Sequence, residues 1–558
     1  MFRKSNKEPQ LDIFGSVASM LPERASQKFN NEDHWHNQFR EQVLMRIDET
    51  IYKVLFNDNY GAPNSPIRIL VGMMILKESF GWSDSQLFEH SQFNLLVRSA
   101  LGLVNINDPL PVESTYYLLR KRIYEYQKQS EEDLMAKTFE QITREQIKEF
   151  NVDGRQIRMD SKLIGSNIAL FSRYEIILQS LSIFYKSLNK FAKARLQISD
   201  REELENLVKE EPAKTVYHST REELKGRLQP IGILTYKVLQ LFGDLKTESY
   251  QLLQRVFNEQ YKVSDDLQIE LRPKEEITSS SVQSPHDTDS AYRNKNNHPV
   301  KGYSYNVTET CSEQELNLIT SVIVDKANTP DTEFVEPAIE ETIAVTEQMV
   351  ERTFVDGAYQ SPANDEFCEG IDMVFTGIQG SESKYDLDLT PEGLMVTNTE
   401  TGECQKAVLV KKHKNSKEDR YRITTPKGNY YFSQQAIRAS MLRKKMKARP
   451  LEELQKRNNV EATIFQLCYH MRNNKSKYRG LFKQRLWSYC RCLWINLVRI
   501  INSVKPTCQR MIKSMEIYSQ FTSFCKFCKS FYSLKHNLSF KFTWSMILLI
   551  GINNYCFY

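Results

Sequence analysis

The sequence predicts a multi-domain α/β protein in which a helical block interrupts a sheet. At 558 residues the chain is too long for one hydrophobic core. Up to about residue 150, apolar side chains recur at helical spacing between clear start and stop signals. From residue 151 onward, strand-like and helix-like segments alternate, which is typical of an α/β sheet.

Residues 1–150 are predicted to form an all-α domain. Its best-defined helix covers 67–80, with Pro66 at the first helical position and Gly81 just after the end. Residues 33–56 also place their apolar side chains on one helical face, which predicts a helix there.

Three consecutive cations, Arg120, Lys121 and Arg122, lie on a helix predicted at 115–126. Short helices that end in a basic one resemble a helix-turn-helix DNA-binding module. A plain helical bundle with a solvated basic face is the alternative interpretation. On the first interpretation, the three cations contact DNA.

The second part of the chain predicts a sheet interrupted after its first strand. The first strand, 157–162, brings Asp160 to its C-terminal end, and a block with helices at 174–185 and 232–263 follows. The later elements are strands at 302–308 and 316–324, a helix at 336–349, a strand at 353–355, a helix at 363–369 and a strand at 373–377.

Three carboxylates stand out on these elements. Asp160 and Asp356 each follow a short strand, and Glu461 lies beside the apolar face of a helix. None has a Cys or His ligand nearby, and oxygen ligands of this kind suit Mg²⁺. A pair of such ions can activate water or a 3′-hydroxyl and stabilise the leaving oxygen in a phosphodiester displacement. The alternative is structural: turn-capping aspartates and a surface glutamate.

Around these acids the sequence resembles the DDE-type transposases of bacterial insertion sequences. The motifs that carry the resemblance are Met159-Asp160-Ser161-Lys162 with Asn167, Phe354-Val355-Asp356-Gly357-Ala358-Tyr359 with Ser361 and Asn364, and Arg457-x-x-x-Glu461 followed by Tyr478-Arg479-Gly480-Leu481. Residues 66–119 resemble the family's N-terminal domain, and 284–289 resemble the segment before its second core strand.

The resemblance implies an InsH-like N-terminal domain and an RNase H-like core, a mixed sheet flanked by helices with a helical and a small β-rich insertion. It implies that Asp160, Asp356 and Glu461 are the catalytic residues and bind two Mg²⁺ ions, with Mn²⁺ as an alternative metal. Such an enzyme cleaves at insertion-sequence ends and joins 3′-hydroxyls to target DNA. Its partners are double-stranded DNA, as terminal inverted repeats and as target, and further copies of itself on paired ends.

The resemblance also implies phosphate contacts near the glutamate. Arg457, Arg472, Lys475 and Arg479 are the candidate DNA-binding residues of this region, with a solvated charge as the alternative for Arg457. The family's tyrosine and lysine around the glutamate fall here on two other residues, Leu454 and Cys468. Arg472 or Lys475, one turn on, would take the place of that lysine.

The expected domains follow from these assignments. They are a helical DNA-binding domain (1–150), the first strand of the RNase H-like core (151–168), the helical insertion (169–283), the continued core (284–380), a β-rich insertion with a basic linker (381–450), the catalytic-glutamate helix and end of the core (451–504), and a basic aromatic tail without assignment (505–558).

Charge supports a polyanionic partner. The net charge is only +5, but residues 471–550 hold fifteen Lys and Arg against one acid, Glu516. A basic C-terminal region favours nucleic acid, with a solvated basic face as the alternative. Two other function classes stay open: a metal-dependent nuclease of the same fold, and an inactive DNA-binding remnant.

The sequence predicts a cytoplasmic protein without a membrane partner. Its ten cysteines are scattered, and the first residues run into polar sequence, not into the apolar segment of a secretion signal. The apolar run at 546–550 is too short to span a bilayer.

Overall fold

The computed structural model describes residues 1–5, 19, 21–57, 60–266, 268–295, 297–313, 316–378, 383–410, 420–426 and 428–504. The described residues up to Ile500 form one compact unit. The predicted tail at 505–558 lies outside the described residues.

The N-terminal region is all-helical, as predicted. Its α-helices are α1 (Glu23–Phe29), α2 (Trp35–Gln42), α3 (Ile67–Phe80), α4 (Asp84–Phe93), α5 (Leu95–Ala100), α6 (Glu113–Ser130) and α7 (Leu134–Glu149). The helix predicted at 67–80 is confirmed, with Pro66 as the cap residue before it. Gly81 ends it in the left-handed conformation at φ 68°, where a Cβ atom would lie 2.8 Å from the His470 ring.

The single helix predicted over 33–56 is wrong. α2 stops at Gln42 because Val43 leaves helical geometry, and the chain continues as 3₁₀ turns at Leu44–Arg46 and Glu49–Leu55. A 3₁₀ turn also brings residues three apart onto one side. Apolar spacing therefore did not distinguish it from an α-helix.

The second region is built on a six-stranded mixed sheet. Its strands are β1 (Gln156–Gly165), β4 (Ala291–Lys295), β5 (His298–Thr310), β6 (Ile319–Lys326), β7 (Arg352–Val355) and β8 (Asp372–Phe375). The order is β4-β5-β1-β7-β8, and β6 also pairs with β5. β1 runs antiparallel to β5 and parallel to β7, and β7 runs parallel to β8. β4 is the strand that the sequence pattern did not predict.

Helices cover both faces of this sheet. They are α14 (Val335–Thr346), α15 (Pro362–Phe367), α18 (Asn458–Leu467) and α19 (Leu481–Val504). Ile157 and Met159 of β1 belong to the buried cluster that includes α14. On the other face, Tyr305 of β5 donates a hydrogen bond to Gln484 of α19 at 2.6 Å. The sheet is therefore a buried central layer, which explains its apolar strands.

The helical block between β1 and β4 has a hydrophobic core of its own. Its elements are α8 (Arg173–Ser187), α9 (Lys190–Ala194), α10 (Ile198–Lys209), α11 (Pro212–His218), α12 (Arg221–Leu241), α13 (Glu248–Gln260), β2 (Tyr261–Val263) and β3 (Ile269–Leu271). The single helix predicted at 232–263 is wrong. The chain leaves α12 at Phe242, and Thr247 caps α13 by accepting a hydrogen bond from Tyr250 N.

The β-rich insertion forms two small antiparallel sheets with a core shared with the following helix. Its strands are β9 (Tyr385–Thr390), β10 (Gly393–Asn398), β11 (Cys404–Lys406), β12 (Val408–Val410), β13 (Arg420–Thr425) and β14 (Gly428–Ser433). Helices α16 (Gln434–Lys447) and α17 (Leu451–Gln455) lead back to the main sheet. Within the described part of the chain, no helix combines the length and the apolar character needed to cross a bilayer.

His36 in α2 is fully buried. Its Nδ1 lies 2.7 Å from His34 Nδ1, and its Nε2 lies 2.9 Å from the carbonyl oxygen of Phe29. Burial, together with the charge of His34, lowers the pKa of His36 to about 4.

We expect His36 to lower the stability of the folded protein as the pH decreases. Between pH 6.5 and about 4 the unfolded chain binds a proton at His36 that the folded protein excludes, so stability decreases as the pH falls. In His36→Gln this contribution is absent. Its melting temperature should therefore drop less than that of the wild type between pH 7 and pH 4.5. The exposed His298, changed to Gln, is the matched control; parallel curves for wild type and His36→Gln would contradict the assignment.

Candidate active site

The pairing of β1 with β7 brings two aspartates together. Arg158 lies opposite Phe354 in this parallel pair. Asp160 and Asp356 each lie two residues further on, just beyond the last paired residues. Because neighbouring strands are ~4.8 Å apart, this brings the two aspartates near each other. The sequence placed Asp160 at the end of a strand over 157–162, but β1 continues to Gly165, so Asp160 lies within the strand.

Asp356 is held by the turn that follows it. Its Oδ1 accepts a hydrogen bond from Gly357 N at 2.6 Å and caps the 3₁₀ turn Gly357–Tyr359. A Cβ atom on Gly357 would collide with the carbonyl oxygen of Gly377. The Asp-Gly pair of the motif is therefore explained by close backbone packing.

Arg457 links Asp160 to Glu461. Its Nη2 lies 2.9 Å from Asp160 Oδ2, and its Nη1 lies 3.3 Å from Glu461 Oε1. The Arg457 side chain is only 12% exposed, whereas that of Glu461 is 60% exposed. Arg457 therefore forms the internal counter-charge of the site, and its predicted contact with DNA stays a prediction.

Arg457 is within electrostatic reach of all three acids. Burial raises the pKa of Asp160; the charge of Arg457 opposes this, and that of Glu461 adds to it. Although burial acts to lower it, the pKa of Arg457 is raised by Asp160, Asp356 and Glu461. Across the described residues, no three His, Cys, Asp or Glu side chains are grouped closely enough to hold a metal ion.

A buried ion cluster fixes α18 on the sheet. Glu309 of β5 is completely buried and accepts a hydrogen bond from Thr463 of α18 at 2.6 Å. Arg158 and Arg499 pair with the same carboxylate at 2.5 and 2.8 Å. Arg158 also donates to the carbonyl oxygen of Lys456, just before α18, at 3.2 Å. These contacts orient the helix that carries Glu461.

A basic turn lies at the C-terminal end of β1. Asn473 and Asn474 both have positive φ, and Lys475 N donates to Arg472 O at 3.0 Å, which closes a two-residue turn. Gly165 at the end of β1 pairs with this turn through Asn474 O at 2.8 Å. The exposed Arg472 and Lys475 thus lie beyond the aspartate in the strand direction.

The loop after the turn is anchored by two acids. Asp287 Oδ1 accepts hydrogen bonds from Tyr303 at 2.6 Å and from Gly480 N at 3.2 Å, and Asp289 Oδ2 accepts from Leu481 N at 2.9 Å. Arg479, which is exposed, donates to the carbonyl oxygen of Asn167 at 2.6 Å. The acids of the 284–289 segment therefore have a structural role in this loop.

The predicted cations of the N-terminal region differ in their surroundings. Arg120 lies over the Tyr116 ring and 3.8 Å from Asp84. Arg122 lies over the ring of Phe56, and Lys121 is exposed with Glu125 at 3.5 Å. Lys121 alone of the three has a mostly exposed side chain in the structure.

One comparison with known proteins gives a match. Residues 24–122 match the family model of a transposase domain, DUF772. This supports a transposase family for the chain and, in general terms, a protein of DNA transposition. No curated protein and no solved structure matches the chain.

Sequence reasoning missed the buried cluster around Glu309. An arginine at 158, two residues before Asp160 in an apolar strand, was the signal for a buried ion pair. Its partner lies 151 positions away, so no local pattern could identify it.

The role of Glu309 is testable. We expect Glu309→Gln to destabilise the protein by ~3–5 kcal/mol, since Arg158 and Arg499 would keep buried charges without a counter-ion. Hydrogen–deuterium exchange should become faster in Asn458–Leu467. Glu336→Gln, an exposed change on α14, is the control. Unchanged exchange in α18 would show that the cluster does not position this helix.

Proposed function

We propose that this protein is a DDE transposase that cuts DNA at the ends of an insertion sequence and joins the freed 3′-hydroxyls to target DNA. The observation that carries the proposal is the site itself. Asp160 and Asp356 each lie two residues beyond the paired Arg158 and Phe354, and Arg457 connects Asp160 to Glu461. The match of residues 24–122 to a transposase domain points to the same process.

The sheet order supports an RNase H-like core. Starting from β1, one neighbour (β5) is antiparallel, and the other two strands in line (β7 and β8) are parallel. Asp160 lies within the first strand and Asp356 follows its parallel neighbour, on opposite sides of the helical block in sequence. This layout puts the reacting groups where the parallel pairing of β1 with β7 ends, and the end of parallel strands is a frequent position for sites in α/β sheets.

The donor set suits Mg²⁺ or Mn²⁺. Carboxylate oxygens on two adjacent strands are hard ligands of the kind these ions prefer. Asp160, Asp356 and Glu461 are the residues that would hold the two ions, and Glu461 would need to move toward the aspartates, because the three carboxylates are not grouped closely enough in this structure. When bound, the metals would supply activation of water or a 3′-hydroxyl and stabilisation of the leaving oxygen.

The other residues of the site would bind DNA. The exposed Arg472, Lys475 and Arg479 lie around the end of β1 and would neutralise backbone phosphates, which makes binding salt-dependent. Arg120, Lys121 and Arg122 would contribute from the N-terminal region. The DNA partners would be terminal inverted repeats and target DNA, held by a homo-oligomer in the cytoplasm.

Two other functions use the same observations. A metal-dependent nuclease of this fold would cut without joining. An inactive remnant would bind DNA and do neither, an idea that rests on Cys468 at the position where the resembled family has lysine.

The proposal predicts that both aspartates are essential. With DNA that carries the element's ends and Mg²⁺, we expect the wild type to give joined products and Asp160→Asn and Asp356→Asn to lose at least ~1,000-fold in rate, because the metal ligands are gone. Products resolved on a denaturing gel measure this.

Asp325→Asn on β6 is the matched control, since Asp325 Oδ1 only accepts a hydrogen bond from Lys326 N that an amide oxygen can also accept. Cleavage without joining by the wild type would favour the nuclease. DNA binding with neither reaction would favour the remnant.

A further inference from the structure

The face of β1 that carries Asp160 follows the length of α18. Arg158 donates to the backbone just before this helix, and Asp160 pairs with Arg457 at its start. Side chains two residues apart share a face of a strand. Lys162 is therefore the next side chain of β1 on the side of α18.

The residue that follows α18 supports this placement of Lys162. Cys468, which follows α18, is buried. Burial raises the pKa of its thiol, and the positive charge of Lys162 acts in the opposite direction. Arg158, Asp160 and Lys162 thus line up from the start of α18 to its end.

Lys162 differs from its cationic neighbours in having no partner among the described side chains. Arg457 is occupied by two carboxylates, and Arg158 and Arg499 both pair with Glu309. Lys162 is half-buried, and no described side chain forms an ion pair or hydrogen bond with its Nζ. A half-buried lysine beside the candidate site, with no counter-ion among the described residues, favours an anion from outside the protein.

We propose that Lys162 binds a phosphate of the DNA strand next to the phosphodiester that is cut. The proposal rests on the proposed function and adds to it a contact on β1 itself. The strand that supplies the first aspartate would then also hold the DNA backbone beside it. An ammonium acts there as a point charge on a flexible stem, which tolerates any base sequence.

The test compares Lys162→Met with Lys162→Arg, which keeps the charge, and with Lys225→Met as control. Lys225 is an exposed lysine of α12 in the helical block. The probe is a fluorescein-labelled duplex of the DNA that flanks the coding sequence, and anisotropy gives the affinity at several salt concentrations. Melting temperatures show whether each variant is folded.

We expect Lys162→Met to weaken binding about tenfold and to reduce the slope of log affinity against log salt by ~0.9, the effect of one lost phosphate contact. Lys162→Arg and Lys225→Met should keep the wild-type slope. A structural role alone would lower the melting temperature without changing the slope.

The outcomes separate the two proposals. If the wild type binds and Lys162→Met binds with the same affinity and slope, the contact at Lys162 is wrong and the proposed function stands. If the wild type binds no DNA, both proposals are overturned. A lower slope in Lys162→Arg as well would also contradict a role for the charge.

Discussion

The parallel pairing of β1 with β7 is the constraint on which the candidate site depends. It joins two strands separated by the whole helical block and by β5 and β6 in sequence. A shift of this register by one residue would turn one aspartate to the opposite face of the sheet. The buried side chains Ile157, Met159 and Val355 oppose such a shift, because they would lose their place in the core against α14. Hydrophobic packing on one face of the sheet thus fixes the relative position of the two aspartates on the other face.

The third acid needs a different support, since Glu461 comes from a helix that no hydrogen-bonded ladder holds. Burying Glu309 with two arginines is expensive in desolvation, and the return in stability from such clusters is small. Such a buried cluster allows only a narrow range of positions for its members, however, because each lone pair of the buried carboxylate needs a hydrogen-bond donor. The cluster therefore serves to orient α18 more than to stabilise the fold.

Sequence reasoning succeeded where the signal is local. The helix at 67–80 is bounded by Pro66 and Gly81, and the strand end at Asp356 is marked by the adjacent glycine that backbone packing requires. It failed at 33–56 and 232–263, where apolar spacing continues through a break in the helix. The break depends on backbone angles and caps that the spacing does not encode.

The arrangement of the candidate site was harder to predict from the sequence than the identity of its acids. The candidate carboxylates could be selected from their motifs, but the pairing of Arg457 with Asp160 and Glu461 could not be predicted. Nor could the buried pair of Arg158 with Glu309, which joins residues distant in sequence. Such contacts follow from the way α18 packs against β1. A local pattern of residue types does not predict how a helix packs against a strand that is distant in sequence.

Charge balance connects these observations. Burial penalises the charge on Asp160, and the charge of Glu461 adds to that penalty. Arg457 opposes this penalty by pairing with Asp160, and it also pairs with Glu461. Arg457 is thus the internal counter-charge for two carboxylates on different elements, so a change at this one residue would alter the surroundings of both.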